Sequence, residues 1–386
     1  MSTKRTVLVS GMIAADPGQG GATWAVLQYL LGLTRLGHDV WFVEPVPNES
    51  LRPAGASLAQ SDNAAYFRQV TKDFGFDKKA ALMLANSQQT EGLPYRELMK
   101  TARRTDVLIN ISGMLTDAAL TARIPLRVYL DLDPGFNQLW HAVQGIDRGF
   151  PGHTHFVTIG PAIGQADCRV PTCGLPWIPT LQPIVLAHWP VAERIAHEAL
   201  TTVGNWRGYG SIHHQGVFYG QKAHSLRPFF TLPTRTKEKF MLALGIHPNE
   251  IADLAALAAN GWQVVDPMRV ADTPAAYQRF IQGSKAEFGI AKSGYVAARC
   301  GWFSDRSICY LASGRPVLAQ DTGFSRILPT GIGLFSFTTS DDVLAAIDLL
   351  QGDYARHARA ARSIAEEYFD SDKVLAGLLD RIGAVS

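Results

Sequence analysis

The chain has 386 residues, 47% of them apolar and 18% charged, which excludes a disordered protein and exceeds what one ordinary core absorbs. A formal charge of +2 gives no overall electrostatic case for nucleic-acid binding. No stretch reaches the ~18 uninterrupted apolar residues of a membrane-spanning helix, so a cytoplasmic location is expected.

The basic segment Met1–Arg5 leads into TVLVSG, read as a first buried strand because it ends in glycine and a polar loop rather than a cleavage site. The glycine-rich DPGQGGAT follows. WAVLQYLLGLTRLG is then an amphipathic helix ending at Gly37, and HDVWFVEP a second strand stopped by proline. Strand, helix and strand in that order make a βαβ unit, the building block of a parallel sheet. DVLINISG and RVYLDLDPG are further strands emptying into small or acidic loops, and HFVTIG adds another after a loop carrying His153.

From Val170 to Pro190 the prolines at 171, 176, 179, 183 and 190 favour extended chain, the candidate crossing between two domains. The alternation then restarts. ALTTVGNW is a strand with a glycine-rich exit, NEIADLAALAANG a helix closed by Gly261, and WQVVDP a strand. TPAAYQRFIQGS is a helix with proline in its first turn, AEFGIAKS a strand, DRSICYLASG a helix, and RPVLAQD and GIGLFSF two strands. SDDVLAAIDLLQG and the C-terminal run are helical, with a break near Asp370–Asp372. The expected division is 1–182, 183–360 and a helical tail, 361–386.

Cys168 and Cys173 are spaced like half a zinc site, but Cys300 and Cys309 do not supply the other half, so isolated thiols and no metal are expected. Gly18, Gly20 and Gly21 lack the lysine of a P-loop and the spacing of a dinucleotide fingerprint. Asp131 and Asp133 fall on one face of a strand end, as do His153 and His155 near the next strand. The adjacent His213 and His214 face opposite ways on extended chain and make no metal pair.

The glycine-rich loop, helix and LGHDVWFVEP opening, the basic residue in YGQK, and AEFGIAKS followed by GWFSDRSICYLASGRPVLAQDTG resemble the group-one, nucleotide-sugar-dependent glycosyltransferases of GT-B fold. That resemblance implies an α/β protein of two doubly wound Rossmann-like domains facing across a cleft, with a C-terminal helix crossing back to the N-terminal domain. It implies a nucleoside-diphosphate sugar, most commonly a UDP-sugar, as co-substrate, with no other cofactor and no obligatory metal. The donor residues it points to are Gly20, Gly21, Arg207, Lys222, Lys292, Ser304, Asp305, Arg306, Ser307, Asp321, Thr322 and Gly323. Asp133 and His153 are the candidate catalytic bases.

The sequence departs from the family at Gly301 and Cys309, where paired glutamates are usual; Asp305, on the face of Cys309, is the candidate for the ribose contact. The acceptor is open: a sugar, a small natural product or a nucleoside or nucleic acid, chosen by the segments VPNESLRPAGASLAQSDNAAY and GFNQLWHAVQGIDRGF. Homodimer formation is open as well. The alternatives are a nucleotide-sugar epimerase, a non-catalytic carbohydrate-binding protein, and an NAD-dependent oxidoreductase using Glu44 at the end of the second strand.

Overall fold

The computed structural model describes residues 4–384; residues 1–3 of the N-terminal basic segment and 385–386 of the tail lie outside it. The first strand, Thr6–Ser10, lies inside an eight-stranded sheet. The spatial order is Thr90–Gly92, Ala80–Leu84, Asp39–Val46, Thr6–Ser10, Val107–Ile111, Leu126–Asp131, His155–Thr158 and Trp177–Pro179. Neighbours are parallel except the outermost, Thr90–Gly92, which runs antiparallel to Ala80–Leu84. The second sheet has six parallel strands: Gln263–Val265, Phe240–Gly245, His197–Asn205, Ser284–Gly289, Val317–Gln320 and Leu334–Phe337.

Helices cover these sheets, so the central strands are largely apolar, with Val7, Val9, Phe42, Ile109, Leu200, Leu242 and Phe288 fully buried. Strand order reverses beside Thr6–Ser10 in the first sheet and beside His197–Asn205 in the second. Such reversals open a crevice at the carboxyl ends of the strands.

The proline-rich passage is less uniform than expected. It contributes the edge strand Trp177–Pro179 to the first sheet, then a short turn at Leu186–His188, before the second sheet begins at His197. The two polar-aromatic segments expected to be acceptor loops are partly helical: Asp62–Asp73 starts inside one, capped by Ser61, and Phe136–Gln144 inside the other. Residue 361 falls within the helix Tyr354–Ile364. Among the described residues no helix is long and apolar enough to cross a membrane.

The C-terminal chain crosses back. The helix Ser371–Arg381 lies on the helix Gly20–Arg35, and the break before it is pinned by Ile184 N–H to Phe369 O (2.7 Å) and Ser371 N–H to Ile184 O (2.9 Å). Gly32 makes the approach possible, because a Cβ there would stand 2.5 Å from Leu375 Cδ1.

Gly20 marks a second close approach. Its N–H donates to Ala271 O at 2.9 Å, and a Cβ on it would lie 2.3 Å from Thr273 O. The neighbouring Trp24 donates its indole N–H to Pro274 O at 2.9 Å. The glycine-rich loop therefore presses one unit against the other. Gly20→Ala is expected to lower stability by about 1–3 kcal/mol through overpacking, read as a lower urea midpoint. An unchanged midpoint would mean the contact is not held in solution.

Candidate functional site

A cavity of about 530 Å³ opens between the two sheets, within the size range of small-molecule sites. One wall comes from Gly18–Ala22, Ser112 and Asp133 of the first unit. The other comes from Gly204 at the end of its strand, Lys222 at the start of the helix Lys222–Leu226, Lys292 beyond the strand Ser284–Gly289, and Ser304–Arg306 at the start of the helix Asp305–Ala312.

Two cations converge on Gly204: a Cβ built there would stand 3.5 Å from Lys222 Nζ and 3.9 Å from Arg306 Nη1. They differ in their partners. Arg306 Nε donates to Glu287 Oε1 at 2.6 Å and its Nη1 to Val203 O at 3.2 Å. Glu287 is fully buried, so this pair neutralises itself.

Lys222 is 7% exposed, and its ammonium donates only to the Ile290 carbonyl, at 3.1 Å. Among the described residues no carboxylate lies within ion-pair distance of it. Burial, then the charge of Arg306, holds its pKa well below the ordinary lysine range. A buried cation without a counter-ion is unfavourable until an anion arrives.

The helix start at Ser304 is not closed by a side-chain cap. Instead the carboxyl of Asp305 lies there, pushed up by burial and pulled back by Arg306 and its own backbone N–H groups.

A second cluster forms around Asp133. The Tyr209 hydroxyl donates to Asp133 Oδ2 at 2.6 Å, the Tyr295 hydroxyl donates to Oδ1, and Lys292 Nζ approaches Oδ1 at 3.5 Å. Lys292 Nζ stands 3.9 Å from the Tyr209 ring centroid and 5.1 Å from that of Phe136. Burial and then the Asp133 charge raise both tyrosine hydroxyls well above their usual range. Trp302 stacks on Tyr295 at 4.1 Å between centroids. These contacts join the two units across the cavity.

Several expected site residues lie elsewhere. Asp131 does not share the cleft with Asp133: the strand ends at Asp131, the alternation stops with it, and its buried carboxylate accepts from Asn137 (2.7 Å), Gln138 (2.7 Å) and Thr158 (2.9 Å). His153 precedes its strand and does not line the cavity. Its ring nitrogens meet Asn110 Nδ2 at 3.0 Å and Phe150 O at 3.2 Å, and burial lowers its pKa.

Arg207 pairs with Glu250 outside the cavity. Ser307 faces a small void behind it. Asp321, Thr322 and Gly323 brace the Trp302 loop, with Thr322 donating to Trp302 O and the Gly323 N–H to Asp321 Oδ1 at 2.9 Å. Gly20, Gly21, Asp133, Lys222, Lys292, Ser304, Asp305 and Arg306 are the expected residues that the cavity brings together. Tyr209, Tyr295 and Glu287 were not anticipated. Tyr209 lies in the glycine-rich exit of the strand ALTTVGNW, whereas nothing local marks Glu287.

Glu44 holds the loop that leads to this wall. Its fully buried carboxylate accepts from the N–H of Ile13 (2.9 Å), Ala14 (2.8 and 2.9 Å) and Ala15 (2.6 Å). Both oxygens are occupied, so the residue that carried the dinucleotide reading has none to offer a ribose. Among the described residues no three His, Cys, Asp or Glu side chains gather as a metal-ligand set.

No protein-family model matches the chain, and no curated protein matches it in sequence. Solved structures do match in fold. An alpha-glucosyltransferase in complex with UDP-glucose and DNA containing an abasic site aligns at a TM-score of 0.63 and 12% identity, covering 99% of this chain and 100% of that one. HepE of Anabaena, in complex with UDP and glucose, aligns at 0.58 and 11%, covering 98% and 100%. A glycosyltransferase from Rickettsia africae aligns at 0.55 and 13%, covering 99% and 98%. At these identities the likeness is one of fold. The chain has the GT-B architecture of two facing Rossmann-like units closed by a returning C-terminal helix.

Proposed function

We propose that this protein transfers a sugar from a nucleoside-diphosphate sugar, with UDP as the first nucleotide to test, to an acceptor hydroxyl. The observation that carries the proposal is Lys222, a buried cation without a carboxylate, converging with Arg306 at the strand-order reversal of the second sheet. A diphosphate supplies the missing anion. As the glycosidic bond breaks, negative charge grows on the leaving diphosphate, and donors already fixed in a dry site stabilise it most there. Lys222 and Arg306 take that role, and Asp305, which lines the same wall, takes a nucleoside hydroxyl.

Asp133 on the opposite wall is the acceptor-side base. It is held by Tyr209, Tyr295 and Lys292, and an acceptor hydroxyl must displace one of these donors to reach it. The same cluster closes the cavity, so donor binding and domain closure are expected to go together. The fold neighbours bound to UDP or UDP-glucose support the donor class.

The test is a thermal-shift series with UDP, GDP, ADP, dTDP, CDP and NAD. One nucleoside diphosphate at about 100 times its Kd is expected to stabilise the protein by about 2.7 kcal/mol. Stabilisation by NAD alone would overturn the proposal.

A further inference from the structure

The first unit contains a second cavity, of about 480 Å³, that plays no part in the donor site. It lies at the carboxyl ends of the strands Asp39–Val46 and Ala80–Leu84, where a doubly wound sheet holds ligands. Its walls are the apolar Pro45, Pro47, Met83, Ala85 and Met114 together with the ring of Tyr95.

Its polar groups are neutral, with one exception. Asn86, Ser87, Gln88 and Thr116 offer hydroxyl and amide groups, and no lysine, arginine or histidine lines it. Asp117 is the sole charge, and it is committed: Oδ2 accepts from the Tyr95 hydroxyl at 2.8 Å, and Oδ1 from the Ala119 N–H at 2.8 Å. An anionic ligand finds no counter-charge here, so nucleic acid, phosphate and carboxylate are disfavoured.

The cavity adjoins the donor cleft. Ser112 lines the cleft and Met114 this cavity, and two residues of chain span at most about 7 Å. Ser112 and Asn86 are non-glycine residues with left-handed φ of 53° and 58°, one at each side. Such backbone persists where the surroundings hold it and clusters at ligand clamps.

We infer that this cavity binds the acceptor, and that the acceptor is a neutral, hydroxyl-bearing aromatic molecule rather than a nucleic acid. The sulfurs of Met83 and Met114 make favourable contacts with an aromatic ring, and the amide and hydroxyl groups at the rim suit its hydroxyls. One hydroxyl then passes Ser112 toward Asp133. This inference rests on the transferase reading only for the word acceptor; the ligand class rests on the cavity alone.

The test uses naringenin, a neutral hydroxylated flavanone, with a 13-mer DNA duplex as competitor, followed by calorimetry alongside UDP binding. Naringenin is expected to bind saturably, to be indifferent to the duplex, and to bind at least about tenfold more weakly to Met114→Trp and to Ala85→Glu. Both positions are partly exposed, and an unchanged UDP affinity shows that the variants fold. No binding of naringenin, equal binding to both variants, or displacement by the duplex would each overturn the inference. Binding of naringenin with no binding of any nucleoside diphosphate would uphold the cavity's ligand class and remove its role as acceptor site.

Discussion

Lys222→Ala is expected to weaken binding of the nucleoside diphosphate by about 2–4 kcal/mol, roughly 30-fold to 1,000-fold, because it removes the buried charge proposed to meet the phosphates. Its effect on the empty protein runs the other way. Lys222 is buried beside Arg306 without a carboxylate, so deleting it leaves no orphaned anion and lifts a repulsion. The unliganded variant is expected to melt no lower than the wild type. A variant that binds UDP as well as the wild type would sink the donor-site assignment.

The same residue sets a pH dependence. Its folded pKa is held well below the unfolded value of 10.5, so the unfolded chain binds a proton that the folded chain lacks. Stability of the empty protein therefore rises with pH between the lowered value and 10.5. A diphosphate favours the ammonium, so above the lowered value binding takes up a proton and affinity falls as pH rises. Calorimetry in two buffers of different ionisation enthalpy measures that uptake. Lys222→Ala should abolish it.

The second large effect is expected at Glu44. Glu44→Ala leaves the N–H groups of Ile13, Ala14 and Ala15 without their acceptor. At about 1–3 kcal/mol for each buried donor, a loss of about 3 kcal/mol or more follows. For a domain of this size that is a fall in Tm of about 6–12 °C. The loop leading to Gly18–Ala22 loosens with it, and affinity for the diphosphate should fall as well.

Burial pushes the Glu44 carboxyl up to about 7 from 4.5, against the pull of the three N–H groups. A carboxyl raised in the folded state contributes stability that is full below pH 4.5 and lost as pH rises through about 7. The span corresponds to about 3 kcal/mol. Glu44→Gln keeps one acceptor and carries no charge, so the wild type should lose stability relative to it as pH rises over that window. Parallel curves would show that Glu44 does not titrate there.

Much of the architecture was legible in the sequence. Thr6–Ser10, Val107–Ile111 and Val317–Gln320 read as strands because a parallel strand covered on both faces is an unbroken apolar run. Gly37, Gly261 and Pro274 marked helix ends through backbone preferences that operate within a few residues. Phe240–Gly245 escaped, since a short apolar run does not separate a strand from a buried helix turn. Asp62–Asp73 escaped because its first turn is polar and lies behind a proline- and glycine-rich stretch.

The candidate site was legible as a place but not as an arrangement. Strand ends and loop composition directed attention to Lys222, Lys292, Asp133 and the helix start at Ser304, and the cavity gathers all of them. Residue type alone did not separate Asp133 from Asp131, or Lys222 from Arg207. In each pair one side chain is spent on a local partner: Asp131 on Asn137, Gln138 and Thr158, Arg207 on Glu250. The other is left to the cleft.

By itself the sequence determined most of the alternating strands and helices, several of their ends and the two-unit pattern, because these follow from hydrophobic period and local backbone chemistry. The tertiary structure decided which charges are paired. Glu287 reaches Arg306 and leaves Lys222 alone, and Glu44 closes on a backbone loop instead of a ribose. Pairing is a matter of a few ångströms between residues distant in the chain, and burial multiplies its consequence by withholding the water that would otherwise even it out.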